Sequence, residues 1–185
     1  MPENTVESIL KELADAAGQI SQKQIDEAAD LIAGHSGKIF CLGAGRSGLI
    51  ARALANRLLH LGKQVWVIGD ITTPPVDQND LIIAVSSSGR SSSLVNTLEK
   101  AASIQARILL MTMADDSPAA RLSDYCVILP GTSRLNQNPS ASSIQPVGSL
   151  FEQMAWLCAD AVVLEARNRL RLSNEQMLQA HANLE

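Results

Sequence analysis

Aromatic side chains are scarce in this chain, and it has no long apolar run. Phe, Trp and Tyr make up 3% of the 185 residues, so the core is expected to be aliphatic. No apolar stretch approaches the roughly 18 residues that a membrane span needs. The N-terminus carries acidic residues where a signal peptide is basic and then apolar. These absences predict a cytoplasmic protein without a membrane segment.

Cysteine and charge exclude further classes of protein. Cys41, Cys126 and Cys158 are odd in number, widely spaced and each placed in an apolar run. A disulfide framework or a CxxC metal site is therefore not expected, and we predict that the three are core residues. The 15 basic and 19 acidic residues give a net charge of -4 with no long run of one sign, which argues against a nucleic-acid surface.

The chain length and its apolar pattern predict one domain over residues 1–185. Helical periodicity predicts two amphipathic helices within residues 1–34, the second opened by a capping box from Ser21 to Gln24. Helical stretches separate five short apolar runs within 38–130, which predicts a parallel sheet with right-handed crossovers. A polar loop then precedes C-terminal helices within 144–185, the last of which begins at Ser173. The predicted strands lie at 38–42, 64–68, 81–85, 107–112 and 125–129.

Two loops that follow predicted strands have compositions typical of anion binding. The first, Gly43-Ala44-Gly45-Arg46-Ser47-Gly48, opens a helix, and the second reads Ser86-Ser87-Ser88-Gly89-Arg90-Ser91. Glycines free the backbone N–H groups, serine hydroxyls donate hydrogen bonds, and a helix N-terminus adds its dipole. On neighbouring strands, the two loops predict a cradle for the phosphate of a sugar phosphate.

Two other interpretations of these loops stay open. The first loop matches the GxGxxG fingerprint of dinucleotide-binding enzymes, and Asp70 follows the second strand as that fingerprint requires. Arg46 within the fingerprint suits a phosphate monoester better than a closely approached pyrophosphate. Either loop alone is also compatible with a plain strand-to-helix turn that serine caps.

One acid and two histidines are the other candidate site residues. Glu152 is a possible base, although Ser149 to Glu152 also reads as a capping box that stabilises a helix without chemistry. His60 lies late in an apolar helix, where packing in the core is the alternative. His181 lies in a polar stretch, where exposure to solvent is the alternative. Spacing provides no metal cluster and no convincing Ser-His-Asp order, and His35 reads as a turn residue.

With these motifs the chain resembles the sugar isomerase (SIS) domain family, and within it the 6-phospho-3-hexuloisomerase group. The family pattern is GxGxSG after the first strand and SxSGx[ST] after the third, which match Gly43 to Gly48 and Ser86 to Ser91. The narrower group is indicated by Arg46 and by four further segments. These segments are RLLHLG at 57–62, DITTPP at 70–75, IQPVGSLFEQ at 144–153 and the terminal HANLE.

The resemblance implies a three-layer α/β fold, in which helices flank a five-stranded parallel sheet and further helices precede it. It implies interconversion of D-arabino-3-hexulose 6-phosphate and D-fructose 6-phosphate through a cis-enediol, without metal or cofactor. This reaction is the second step of formaldehyde fixation in the ribulose monophosphate pathway, so hexulose-6-phosphate synthase is the expected functional partner. A homo-oligomer, dimer or tetramer, is also expected, with the homotetramer favoured.

The resemblance also implies roles for individual residues. Glu152 is expected to be the base, and His181 is expected to approach the site from the same or another subunit. His60 and Gln145 lie in the matching motifs and join the catalytic and substrate-binding candidates respectively. The residues expected to bind the phosphorylated substrate in the two loops are Gly45, Arg46, Ser47, Ser86, Ser88, Gly89 and Ser91.

One departure from the family pattern leaves the activity open. Many such isomerases carry an acid in the second loop where this chain has Arg90. An isomerase acting on another phosphosugar is therefore a competing interpretation. A non-catalytic sugar-phosphate sensor is another, because the same cradle binds a ligand without chemistry.

Overall fold

Five parallel strands form one sheet in the computed structural model, which describes residues 4–132 and 143–183. The strands are β1 (Ile39–Gly43), β2 (Val65–Val67), β3 (Leu81–Val85), β4 (Arg107–Thr112) and β5 (Tyr125–Ile128). Their order across the sheet is β2-β1-β3-β4-β5, so the direction of winding reverses between β1 and β3. In open sheets of this kind, ligands bind outside the carboxyl ends of the strands at the reversal.

Helices cover both faces of the sheet, which confirms the predicted three-layer α/β fold. The helices are α1 (Thr5–Ala17), α2 (Gln22–Gly34), α3 (Gly45–His60), α4 (Ser92–Ser103), α5 (Pro118–Leu122), α6 (Ser149–Leu170) and α7 (Asn174–Gln179). Alternate residues of each strand point to opposite faces. Ile39 and Cys41 accordingly join the core against α2, α3 and α6, whereas Phe40 joins the core against α4 and α5.

The N-terminal helices pack on α6. Ala16 of α1 is buried with Leu150 and Met154, and a guanidinium on α6, that of Arg169, pairs with Asp26 of α2 at 3.0 Å. The predicted capping box at Ser21 is wrong. In the described part of the chain no side-chain hydrogen bond caps α2 at Ser21, and the Gln24 side chain instead accepts a hydrogen bond from the backbone N–H of Ile128 at 3.0 Å.

Two of the three cysteines are fully buried, as their apolar surroundings predict. Burial raises the pKa of Cys41 to about 12 and that of Cys158 to about 12. Cys126 at the last strand is only half-buried, and burial raises the pKa of its thiol as well. Within residues 4–132 and 143–183, no helix combines the length and hydropathy that crossing a membrane requires. Most of the predicted polar loop at 131–143 and the end of HANLE lie outside the described residues.

Candidate active site

The first serine-glycine loop joins β1 to α3 by a turn that only glycine fits. A Cβ at Gly43 would lie 2.6 Å from the backbone oxygen of Ser47, and Gly45 has a φ of +56°. Ala44 occupies the N-cap position of α3, and no side chain in the described part of the chain bonds to this helix end. The first N–H groups of α3 are therefore directed at the carboxyl edge of the sheet without a side-chain acceptor.

The second loop starts beside the first, because Gly43 pairs with Val85 at the ends of β1 and β3. Within it, the N–H of Gly89 donates to Ser86 Oγ at 3.2 Å, and the N–H of Arg90 to Ser88 Oγ at 3.4 Å. Ser91 occupies the N-cap position of α4 but makes no cap hydrogen bond through its side chain. Both loops that carry the predicted phosphate-binding residues therefore lie at the carboxyl ends of β1 and β3, where the winding direction of the sheet reverses.

Glu152 lies in the first turn of α6 and forms an ion pair with Arg46 of the first loop. Its side chain is 19% exposed, whereas that of Arg46 is 68% exposed. The alternative interpretation of Glu152 as part of a capping box is wrong. Gly148, with a φ of 93°, is the N-cap residue, and Ser149 is already within the helix. The carboxylate therefore does not cap the helix, and it contacts Arg46 of the first loop.

A cavity of about 340 Å³ adjoins this ion pair between α3 and α6. Its walls are mostly apolar, and its polar groups come from the two ends of the Arg46–Glu152 pair and from one amide. The lining residues are Arg46, Leu49, Ile50, Glu152, Gln153 and Trp156. An apolar cavity with a few convergent polar groups is the usual form of a small-molecule site.

The two candidate histidines lie at the other end of α3. His60 is buried, and its ring stacks on that of His181 with centroids 5.0 Å apart. Burial lowers the pKa of His60, and His181 and Arg57 lower it further. Arg46 and His60 are separated by nearly the whole 16-residue helix, about 21 Å at 1.5 Å per residue. Within one chain, the histidines and Glu152 are therefore not brought together.

A second cavity, of about 310 Å³, adjoins the histidine pair. It shares Ile50 and Trp156 with the cavity at Glu152, so the two adjoining cavities lie one after the other in a groove along α3 and α6. We call this the α3–α6 groove. The other residues of its histidine end are Ala53, Leu54, Asn56, Arg57, His60, Ala159, Asp160 and His181.

Gln145 contacts α1 rather than either loop. Its Nε2 donates to Glu12 at 2.8 Å, and the N–H of Ile144 donates to the same carboxylate at 3.0 Å. Burial acts to raise the pKa of Glu12, but these hydrogen bonds outweigh it and the pKa is lowered. Gln145 is thus placed to anchor the segment that leads into α6. No local pattern points to Glu12, which is far away in the sequence.

The remaining charged candidates are engaged in ion pairs. Arg90 pairs with Asp116 of the next loop at 3.2 Å. Asp70, the acid that a dinucleotide fingerprint would need, is held by two hydrogen bonds from Arg52 at 2.6 and 3.2 Å. Among the described residues, no group of three or more His, Cys, Asp or Glu is arranged to hold a metal ion.

Most residues of this site lie within a region that matches a known protein family. The SIS domain family model matches residues 32–157, which include both loops and Glu152. The 3-hexulose-6-phosphate isomerase of Bacillus subtilis is 41% identical over 180 residues, which cover 97% of each chain. The enzyme of the same name from Mycobacterium gastri is 38% identical over 98% of this chain and 90% of its own.

A solved structure extends the likeness to three dimensions. A protein from Methanococcus jannaschii, whose crystal structure was taken to infer a molecular function of 3-hexulose-6-phosphate isomerase, superposes with a TM-score of 0.78. It is 32% identical, and the match covers 89% of this chain and 87% of that one. With a matching family model and relatives that align over almost its whole length, the chain belongs to the SIS domain family, in the group of the 3-hexulose-6-phosphate isomerases.

Proposed function

We propose that this protein interconverts D-arabino-3-hexulose 6-phosphate and D-fructose 6-phosphate. The observation that carries the proposal is the position of Glu152, a mostly buried carboxylate in an apolar cavity beside two serine-glycine loops. The relatives of the same group are named for this activity. We further place the reaction after hexulose-6-phosphate synthase in the ribulose monophosphate pathway of the cytoplasm.

The two loops bind the phosphate in this proposal. The backbone N–H groups at the start of α3 and the hydroxyls of Ser47, Ser86, Ser88 and Ser91 belong to the loops that follow the adjacent strands β1 and β3. Donors fixed by a backbone turn are preorganised for a dianion and need little rearrangement when it binds. The phosphate then holds the sugar chain near the α3–α6 groove, where Glu152 lies.

The chemistry needs one carboxylate that moves a proton. Glu152 removes the proton from C2 of the 3-hexulose, electrons shift towards the C3 carbonyl, and a cis-enediol forms. Return of the proton to C3, together with net transfer of the hydroxyl proton from O2 to O3, then leaves the carbonyl at C2 and a hydroxyl on C3. Arg46, which already contacts Glu152, offsets negative charge that develops on the enediol oxygens. Phosphate on O6 prevents closure of the 3-hexulose onto that oxygen, so the substrate arrives as an open chain.

The histidines are supplied in this proposal by a second copy of the chain. Leu49 is 61% exposed and Trp156 46% exposed along the α3–α6 groove, so its middle is an apolar surface open to a partner. In a two-fold symmetric interface, residue i of one copy meets residue j of the other and the reverse. A two-fold axis near Trp156 would place the His60–His181 pair of one copy beside Glu152 of the other.

Proton exchange on the sugar tests the proposed reaction directly. We would incubate fructose 6-phosphate with the protein in deuterated water and follow its carbon-bound protons by NMR. Loss of the C3 proton signal is the expected result, because the enediol joins C2 and C3. Loss of a C1 proton signal instead would identify an aldose–ketose isomerase and overturn the proposal. Binding without exchange at any carbon would identify a sensor.

A further inference from the structure

A buried amide oxygen next to Glu152 has no hydrogen-bond partner. Among the described residues, Oε1 of Gln153 is the one buried side-chain oxygen or nitrogen left without a partner. Buried polar groups in folded proteins are nearly always hydrogen-bonded, so each exception requires an explanation. Gln153 directly follows the proposed base, at the start of the second turn of α6, and lines the same cavity of about 340 Å³.

The other groups around this cavity do not satisfy the amide. Leu49, Ile50 and Trp156 supply apolar walls, and Arg46 is engaged with Glu152. The Gln153 side chain lines the cavity and its unpaired oxygen lies beneath the cavity surface, so a molecule bound next to the base would lie against this amide. A hydroxyl group matches this amide, because a hydroxyl both donates and accepts and can pair with either end of an amide.

We propose that Gln153 binds a hydroxyl group on the carbon chain of the sugar phosphate and so orients that chain against Glu152. The inference deepens the proposed function and depends on it, since it assumes a sugar phosphate in this cavity. It assigns to Gln153 recognition of the polyol part of the substrate, whereas the two loops recognise the phosphate. The affinity for a ligand that has a phosphate but no hydroxylated carbons is therefore not expected to depend on Gln153.

Replacement of Gln153 by methionine separates ligand recognition from a structural role. Methionine keeps the length of the side chain and removes the amide. We expect the dissociation constant for fructose 6-phosphate, measured by calorimetry, to rise about tenfold, which is what one neutral hydrogen bond is worth. The constant for inorganic phosphate should stay within about twofold. The ligand-free melting temperature should rise, because a buried acceptor without a partner is removed.

The matched control is Gln64→Met, in an exposed residue just before β2 at the opposite edge of the sheet. It should leave both dissociation constants unchanged. An unchanged constant for fructose 6-phosphate in Gln153→Met would show that the amide is only structural and overturn the inference. Equal weakening for both ligands would also overturn it, because the residue would then act through the fold.

A measurement on the unmodified protein covers the case in which Gln153→Met does not fold. With glutamine labelled at the side-chain carbonyl carbon, fructose 6-phosphate should shift the Gln153 resonance and inorganic phosphate should not. If the protein binds and converts fructose 6-phosphate but the Gln153 resonance does not shift, the role of Gln153 is overturned and the proposed function stands. A protein that binds inorganic phosphate but not fructose 6-phosphate overturns the proposed function as well.

Discussion

At the scale of single residues, the contact between Arg46 and Glu152 is the feature that organises the site. A guanidinium that is mostly exposed reaches a carboxylate that is mostly buried, and the two come from helices far apart in the sequence. Arginine stays charged at all accessible pH values, and its planar fork restricts the orientation of the carboxylate. The ion pair therefore holds the proposed base next to the first loop before any substrate binds.

Glu152→Gln tests the role of the base. The amide has the size of the carboxylate but cannot accept a proton from carbon, so we expect kcat to fall by about 10²- to 10⁴-fold. The dissociation constant for fructose 6-phosphate should change by less than about threefold, because the phosphate contacts remain. Calorimetry and a coupled isomerase assay give the two numbers.

The control for this substitution is Glu99→Gln, an exposed carboxylate on α4. It should leave both kcat and the dissociation constant at their original values. If Glu152→Gln weakened binding as much as it slowed turnover, Glu152 would be a binding residue and the mechanism above would be wrong.

At the scale of elements, the second loop depends on a contact with the segment that precedes α5. Gly89 has a φ of +60°, and a Cβ there would lie 2.2 Å from Oγ of Ser117. Ser117 is buried and caps α5 by accepting the N–H of Ala120. The loop that carries Ser86, Ser88 and Ser91 is therefore locked against its neighbour.

Gly89→Ala should lower the free energy of unfolding and weaken phosphate binding together. Gly62→Ala is the matched control, because Gly62 has a φ of +78° but no atom within 4 Å of its would-be Cβ. The control carries only the left-handed strain of about 1 to 2 kcal/mol. Gly89→Ala carries the same strain and a steric overlap, for which about 1 to 3 kcal/mol more is expected. Equal losses in urea denaturation would contradict the role of the Ser117 contact.

The contact between His60 of α3 and His181, which follows α7, predicts that the stability of the protein depends on pH. Burial lowers the pKa of His60, and Arg57 and His181 add to this, while Asp160 lies in the same cavity. The folded protein thus binds fewer protons than the unfolded chain at this position. Stability should fall as the pH drops below the ordinary histidine value of about 6.5.

Urea denaturation between pH 5 and 8 measures this loss of stability. Burial also lowers the pKa of His35, so His60→Gln should reduce the slope against pH without removing it. A slope that is the same in His60→Gln and the original protein would show that the His60 ring is solvated, contrary to the structure.

Local patterns predicted the elements well, because strands and helices follow from the period of apolar residues. Each of the five predicted strands lies within one or two residues of its observed position, and Ser173 caps α7 as expected. Patterns failed where distant residues meet. The side chain of Gln24 bonds to the backbone of Ile128 instead of capping α2. Gln145 bonds to Glu12. No local sequence pattern indicates the ion pair between Arg46 and Glu152. The short helix α5 went unpredicted, although Ser117 followed by Pro118 is a start signal.

At the scale of the whole molecule, the separation of the histidines from Glu152 predicts that the site is shared between copies. Glu152→Gln and His181→Ala should each be nearly inactive alone. In mixed dimers, one of the two sites would combine an intact Glu152 with an intact His181. Random reassociation should then restore about one quarter of the original activity.

Activity assays after unfolding and refolding of the mixed variants measure this recovery. The control is a mixture of Glu152→Gln with the original protein, which should show only dilution. Failure of the two inactive variants to complement each other would place all site residues in one chain. We expect light scattering to report a dimer or, as favoured above, a tetramer.

We also propose that residues 1–185 unfold as one domain. Trp66 in β2 and Trp156 in α6 are natural probes of the sheet and the C-terminal region. Fluorescence of Trp66→Phe and Trp156→Phe should give coincident urea transitions at one protein concentration, which is the mark of a single cooperative unit. Two separated transitions would divide the chain into independent units.

The burial of the thiols has a consequence for chemical durability. A pKa of about 12 at Cys41 and Cys158 leaves on the order of one thiol in 10⁵ ionised at neutral pH. Thiolates are the form that attacks aldehydes and other electrophiles. In the pathway proposed here, formaldehyde is consumed one step earlier, so the protein would work close to a reactive aldehyde. The sulfur atoms of Cys41 and Cys158 are shielded from that reagent by the same aliphatic core that supports the sheet.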